Sequence, residues 1–582
     1  MSVIKQMLVT GVAMTAAVAL ASEWYAAPER KGAPEDPNFC LFPETAGTLA
    51  DAIGFANAGN PGDETVVLLD GVYNADWDPD GLKLTLPGVT IRSESGERGD
   101  CIVDGGGESG GRRAFRFDNG NHAYFSSISN LTFRNFHLDH SRDVSLLRKG
   151  AVLYFPSSST HARIVNCDFL DSTCGVLGDS VAGAHLDYDS RYKDNSSGGA
   201  ISAYGYVRAS GCNFLRVNAA GSGAAVCMHG DGSWFEDCVF ESCMSSNVTS
   251  DVSFYAGTLS CFAGTPGVAS NCVFRNNCCF SGREIRGGAV LNLRTYRCRF
   301  ENNGCRKESG NTYYGGDGGS IYCYATSDAL VDFYTHIEDV FDDSAVAEPD
   351  PNRTRCEVNG GTLVRCRFHD MMASGGLFNG VVAYNCLFQD LAYDGYGGSM
   401  AYYNCTFARC YGRANRGTAW NGAWISSSKF INCAMLDCHT ASGWLIGMNN
   451  GPYHYYDAYA VSHDPSTVNS ITNSIYADDH YEGAPEYDFV GGWTGHGRNN
   501  VQYDPSNPDT VYHYIDPSSP TDPYRPARDA YMVDRGLYLE GMKDRKSPLA
   551  YDILGNPRCV GGAPDIGCYE YYVKPGISVM LR

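Results

Sequence analysis

Charge is scarce in this sequence: Asp, Glu, Lys and Arg together make up 19% of its 582 residues. Coiled coils and chains that stay disordered in solution need far more. Basic charge is the scarcer sign, with 44 Lys and Arg against 66 Asp and Glu and a formal net charge of -22. That balance excludes a duplex nucleic-acid binder and a basic patch for anionic lipid. No apolar run after Leu20 is long enough to span a bilayer. Metal-ligand spacing is missing as well, since there is no Cys-x2-Cys and no paired His, so no zinc centre is expected. No P-loop, nucleophile elbow or dinucleotide fingerprint occurs, and no helical periodicity of useful length.

The sequence is rich in glycine (67), Tyr (38), Phe (26) and Cys (24). The cysteines are too sparse for a small disulfide-stapled scaffold and too many to ignore. At the N-terminus, Lys5 precedes an apolar run from Met7 to Leu20, and Ala19-Leu20-Ala21 has the small-x-small form of a cleavage site. Residues 1–21 are therefore expected to be a secretory signal peptide, leaving no membrane span in the mature chain.

Repeats set the architecture. Cys-x-Phe after a polar residue or Gly recurs at Cys167, Cys212, Cys238, Cys272, Cys298, Cys366, Cys386 and Cys405, with a degenerate copy at Cys433 and a forerunner at Asn130-Leu131-Thr132-Phe133. Successive cysteines lie 45, 26, 34, 26, 68, 20, 19 and 28 residues apart. Gly-Ala or Gly-Ser before an apolar residue interleaves, as at Gly150, Gly199, Gly223, Gly288, Gly319 and Gly398. A period in the twenties with longer excursions is the mark of a solenoid. Cys and Phe two apart face one side of an extended strand. The glycines suit corners that need positive φ or close backbone approach. The expected fold is all-β: a right-handed parallel β-helix with an N-terminal cap and an irregular C-terminal cap. The expected divisions are a signal peptide at 1–21, an N-terminal cap at 22–63, the β-helix at 64–450 and an aromatic-rich cap region at 451–582.

The Cys-x-Phe cysteines are expected to be a buried column, because thiols stacked at the strand spacing of about 4.8 Å suit disulfide geometry poorly. Disulfides are open among a second set near the corners (Cys174, Cys243, Cys278, Cys305, Cys410, Cys438) and a third after the glycines (Cys227, Cys261, Cys323).

Gly287-Gly288-Ala289-Val290, with Phe274-Arg275-Asn276-Asn277 and Phe300-Glu301-Asn302-Asn303, resembles the GGA(I/V) and FxxN repeats of chlamydial polymorphic outer-membrane proteins, without their barrel. Residues 64 to about 450 resemble the pectin-lyase-like superfamily. Asp552 to Arg558 with Asp565 to Glu570 is similar to the closing motif of many secreted bacterial β-helix proteins. The resemblance implies a fold and an extracellular setting rather than an activity. Polygalacturonase-like Asn-Thr-Asp, Gly-His-Gly and Arg-Ile-Lys are absent, as is a pectate-lyase-like Trp-x-Asp-His, and Asp342-Asp343 and Asp478-Asp479 read as acidic turns.

The function expected first is a secreted or cell-surface binding protein of adhesin type, engaging a polysaccharide, a surface glycan or another surface protein. The alternative is a polysaccharide lyase or glycosidase. No cofactor is expected, with Ca2+ as the candidate if the chain is a lyase. Binding candidates are the aromatics Trp420, Trp424, Trp444, Tyr453, Tyr455, Tyr456 and Trp493, which suit sugar stacking, and Arg294, Arg297 and Arg299, which suit a carboxylated sugar. His229-Gly230-Asp231-Gly232 reads as a turn, with a base-orienting role as the sharper reading.

Overall fold

A computed structural model describes residues 22–107, 111–138, 149–177 and 197–247, residues 254–307 with short breaks, strand segments between 316 and 503, and most of 524–571. The chain forms two compact units, residues 1–294 with 303–316, and residues 295–302 with 317–582.

In the first unit one coil runs Leu153–Phe155, His161–Val165, Asp168–Leu170 and Thr173–Cys174, and each strand pairs in parallel with its equivalent one coil on. The first sheet is Ser22–Ala26, Glu64–Leu68, Thr90–Ser93, Phe125–Ser129, His161–Val165, Tyr206–Ser210, Trp234–Glu236 and Gly267–Ser270, in that order. The second sheet contains Thr132–Arg134, Asp168–Leu170, Asn213–Leu215, Val239–Glu241 and Val273–Arg275. The third contains Leu82–Leu84, Phe115–Phe117, Leu153–Phe155, Ile201–Ala203, Val226–Met228 and Leu259–Cys261. The second unit repeats the plan, with Thr362–Val364, Val382–Tyr384, Ala401–Tyr403 and Lys429–Ile431 in register beside Arg367–His369, Leu387–Gln389, Thr406–Ala408 and Ala434–Leu436. Parallel pairing continues to Val501–Tyr503. This is the parallel β-helix expected from the repeats.

The N-terminal stretch adds the strand Ser22–Ala26, paired in parallel with Glu64–Leu68, and the helix Leu49–Asn57. Thr48 and Asp51 close a reciprocal capping box at the helix start, satisfying two backbone amides, and Leu49, Ala52, Ile53 and Ala56 form the buried face.

The interior columns are built as read. Phe169, Phe214, Phe240 and Phe274 are fully buried, and each ring stacks on the next at 4.7–4.8 Å. Phe368, Phe388 and Phe407 stack likewise in the second unit, at 5.2 and 4.7 Å. The cysteines point inward too, but from a different place. The polar residue before each Cys stands at positive φ: Asn166 at 51°, Asp237 at 53°, Asn271 at 53°, Arg365 at 55°, Asn385 at 55° and Asn404 at 52°. It is the corner between first and second sheets, and Cys follows it just ahead of the next strand. From there Cys167 Sγ lies 3.4 Å from the Val165 carbonyl, and Cys212, Cys238, Cys272 and Cys386 reach the carbonyl two residues back at 3.2–3.4 Å. The thiol therefore closes the corner as a weak donor, a duty that a plain small hydrophobe could not perform.

Glycine corners occur where expected before the third sheet. Gly150 and Gly223 have φ of 64° and 69°, and a Cβ there would strike the carbonyl of Leu153 or Val226. In the coil between, the positive φ of 72° falls on Gly198, one residue before the expected Gly199, which instead lies so close to the Ala224 and Asn218 carbonyls that a Cβ would meet them at 2.3 Å.

The disulfide expectation is corrected: every described cysteine is a free thiol, including Cys174, Cys243, Cys278, Cys410, Cys227 and Cys261. Cys243 Sγ is 3.4 Å from the Phe214 carbonyl and Cys410 Sγ 3.5 Å from that of Phe388, so these thiols are spent on backbone acceptors. Burial pushes the Cys227 and Cys243 thiols up to about 12, which leaves them unreactive.

Two outcomes follow. A thiol-specific reagent should label Cys278 and Cys559, the two described cysteines that are not buried, before any column member. In guanidinium the count should rise to 24; a shortfall by an even number would reveal disulfides. Asn166→Ala should cost about 1–2 kcal/mol more than Asn166→Gly in chemical unfolding, because both lose the side chain but only Ala resists left-handed backbone.

Candidate functional site

Two groups of side chains stand out in the first unit, one outward-facing and one largely buried. The first lies on the first sheet. Ala162, Ile164, Val207, Ala209 and Phe235 point into the core, so their neighbours point out. Register aligns Phe125, His161 and Tyr206 across three coils, and Ser127, Arg163, Arg208 and Trp234 across four. Phe125 is 46% exposed, with its ring 5.1 Å from His161 and 6.1 Å from Tyr206. His161 and Tyr206 are 5.7 Å apart. The Trp234 indole N–H is buried with no acceptor among the described residues. Arg208 lies 3.9 Å from Glu236, an exposed pair of little energetic weight. Arg163 is exposed. His122, on the loop before Phe125–Ser129, brings Nδ1 to 3.0 Å from His161 Nε2. Burial, then the neighbouring His122, holds His161 below the ordinary imidazole range, so it is neutral at pH 7.

The second group borders the third sheet. Arg113 is fully buried and donates to the Asp80 carboxylate, to the Gly150 carbonyl at 2.9 Å and to the Lys149 carbonyl at 3.0 Å. Asp80 also pairs with Arg116, and the Arg113 guanidinium sits 4.9 Å from the Tyr154 ring. The Lys149 ammonium donates to the Tyr204 hydroxyl and lies 4.7 Å from its ring. Tyr204 stacks on His229 at 4.5 Å, and His229 on Phe262 at 5.5 Å. Cys227 Sγ is 3.6 Å from His229 Nε2. The Lys149 ammonium and the Tyr204 phenol are thus hydrogen-bonded, the His229 imidazole meets Tyr204 by ring stacking, and the Arg113 guanidinium nearby is engaged by Asp80 and backbone.

The residues singled out from sequence fall as follows. Trp420, Trp424, Trp444, Tyr453, Tyr455, Tyr456 and Trp493 lie outside the described residues, as do Asp342-Asp343 and Asp478-Asp479. Arg294 is half-buried on Leu293–Tyr296, three residues before the corner. Arg163, Arg208 and Trp234 hold that same position relative to Asn166, Gly211 and Asp237. Arg297 is exposed but is itself a corner residue at φ 52°. Arg299 is exposed and ion-paired with Glu301. In the His229 motif, Asp231 accepts the Thr265 amide at 2.9 Å and Gly232 has φ 71°, which is the turn expected. Sequence reasoning missed Phe125, His161, Tyr206, Arg163, Arg208, Trp234, Lys149 and Tyr204. The signal for the first six was present: counted back from each corner, they fall five or three residues before it.

The closing motif is a third concentration of charge, on the second unit. Asp552 accepts the amides of Leu554, Asn556 and Glu570 at 3.0, 2.6 and 3.0 Å. Buried Arg558 donates to the Gly567 carbonyl at 2.7 Å and to Asn385 Oδ1 at 3.2 Å, with Glu570 at 3.4 Å. Asn385, Asn404 and Asn432, all corner residues, form a buried ladder at 3.2 and 3.0 Å, and Asn432 exchanges bonds with Leu537 at 2.8 and 2.7 Å. Ile553, Ile566 and Tyr569 pack with Leu387, Ala408 and Ala434. The motif clasps the coils. Among the described residues, no group of three or more His, Cys, Asp or Glu is placed to hold a metal ion.

No family model and no curated protein sequence matches the chain. Among solved structures it is similar to alginate lyase AlyF-OU02 in complex with G6, at 10% identity and a TM-score of 0.31, covering 84% of this chain and 85% of that one. It is similar to pectate lyase Pel9A at 10% identity and 0.23, covering 96% and 98%. It is also similar to PfbA, a surface adhesin of Streptococcus pneumoniae, at 10% identity and 0.26, covering 73% and 91%. The fold rests on the strand register above rather than on these scores. No helix among the described residues is long and apolar enough to cross a membrane.

Burial, then Glu570, raises Asp565 to about 7, and burial raises Glu570 as well. A carboxyl whose folded pKa lies above its unfolded value stabilises fully below the unfolded value, and that contribution is lost as pH rises through the folded one. Thermal stability of the clasp is therefore expected to fall as pH rises from about 4 to about 7 and to level off above that. Hydrogen-exchange protection at residues 552–570, corrected for the intrinsic rise of exchange with pH, should fall over that interval, and Asp565→Asn should flatten the slope while lowering stability, since the amide group replaces one of the two oxygens that accept from Asp534 and Tyr571.

Proposed function

We propose that the protein is a secreted or cell-surface glycan-binding β-helix of adhesin type, with its platform on the outer first sheet of the first unit. The observation that carries this reading is a pair of adjacent in-register columns on the outer face, one of Phe125, His161 and Tyr206 and the other of Arg163, Arg208 and Trp234. Flat aromatic faces stack on sugar rings, and the arginines supply directed donors to hydroxyl, carboxylate or sulfate oxygens. Because equivalent positions of successive coils stack in register, a polymer lying along the stacking direction meets Arg163, Arg208 and Trp234 in turn. The apolar run from Met7 to Leu20 after Lys5 supports export.

A second reading is favoured by one observation, the Lys149–Tyr204–His229 series. A polysaccharide lyase needs a base for the proton beside a uronate carboxylate, and this series contains suitable groups. A glycosidase would instead need two carboxyls about 5–9.5 Å apart, and Asp80, the carboxylate of this region, is engaged by Arg113 and Arg116.

Binding to immobilised neutral and uronate-containing polysaccharides, with turnover followed by ultraviolet absorbance of unsaturated ends and by reducing sugar, separates the two. The expected result is binding without turnover, weakened about tenfold, or ~1.4 kcal/mol, by Tyr206→Ala or Trp234→Ala. Turnover that disappears in Lys149→Met and Tyr204→Phe while surviving Trp234→Ala would establish the lyase instead.

A further inference from the structure

We infer that His122 and His161 form a two-imidazole site for a divalent transition-metal ion of the Cu2+ or Ni2+ type. The site needs only these two rings and does not rest on the glycan reading.

The two facing nitrogens, His122 Nδ1 and His161 Nε2, are 3.0 Å apart, with ring centroids at 4.9 Å. With metal–nitrogen bonds of about 2.0–2.1 Å, that separation subtends roughly 95° at a shared ion. This is the cis angle of a square-planar or tetragonal centre, which Cu2+ and Ni2+ prefer; tetrahedral Zn2+ asks for a wider bite. His161 is the fixed member, standing in the strand His161–Val165 with Phe125 at 5.1 Å and Tyr206 at 5.7 Å. His122 is exposed, on the loop just before Phe125–Ser129, and can tilt from facing its partner to facing a common ion.

A purely structural role explains the pair poorly. His161 Nδ1 is buried without a partner among the described residues, so the ring is not held by a bond from its far side. The hydrogen bond between the rings secures no backbone group either. A bound ion would give both facing nitrogens a strong partner. It would leave His161 Nδ1 without the acceptor that usually tunes a ligating imidazole, which sets the expected affinity in the micromolar range.

The test is titration of untagged protein with CuCl2, NiCl2 and ZnCl2 in a non-coordinating buffer, followed by calorimetry, with electron paramagnetic resonance of the copper form. The expected result is one tight Cu2+ per chain with hyperfine structure from two nitrogens, Zn2+ weaker than Cu2+, and at least about a tenfold loss of affinity in each of His122→Ala and His161→Gln. His122 is exposed, so its variant tests the site without disturbing the core, and circular dichroism checks the fold of both. Absence of micromolar Cu2+ binding overturns the proposal. Unchanged affinity in either variant also overturns it, because the ion would then sit on other histidines among the 14 in the chain.

Discussion

The structure depends on one repeated corner. A polar residue enters the left-handed region, the chain turns from the first sheet into the second, and the following thiol closes the turn from inside by reaching the carbonyl two residues back. Asn and Asp suit the first position because a short polar side chain eases positive φ. Cys suits the second because it is small enough for the interior yet carries a hydrogen. Leu131 takes the place once, after Asn130 at φ 59°, and there the corner forms without a thiol, so backbone conformation comes first and the thiol adds to it.

Corner register fixes everything outside it. Once Asn166 and Gly211 align, the residues three and five places earlier must align too, and they face solvent while their neighbours face the core. Arg163 meets Arg208 and His161 meets Tyr206 for that reason rather than through any attraction between them. The same logic places the closing motif. The side-chain amides of the asparagine corners 385, 404 and 432 bond one another along the coils and still reach Pro548 and Leu537, so a ladder made for turning the chain also becomes the docking strip for a distant segment.

The sequence made the repeat legible, along with the inward Phe and Cys columns and the glycine corners, because each is a local pattern recurring with a period. It hid the polar corner. Asn166-Cys167-Asp168-Phe169 read as continuous alternation has the same inward residues as a corner followed by a strand, and alternation alone cannot tell a residue pointing out from one at positive φ. The Lys149, Tyr204 and His229 series was illegible for another reason. Its members come from three coils, 55 and 25 residues apart, and excursions of unequal length separate them. Disulfides were left open because composition and compartment speak to redox chemistry but not to which acceptor a thiol faces. The described cysteines are free thiols, and Cys243 and Cys410 face the backbone carbonyls of Phe214 and Phe388.

The formal charge of -22 argues against polyanions at long range, yet it says little about contact. At physiological ionic strength, charges beyond about 8 Å are largely screened. Within that distance the first-sheet platform presents Arg163 and Arg208, opposed by Glu236, beside neutral rings. The acidic excess then acts on approach rates, slowing encounter with any anionic surface. The local side chains govern whether an encounter persists. For the proposed platform, whose columns offer one side chain per coil, residence would therefore decide more than capture, since several weak contacts must be engaged together before a ligand stays.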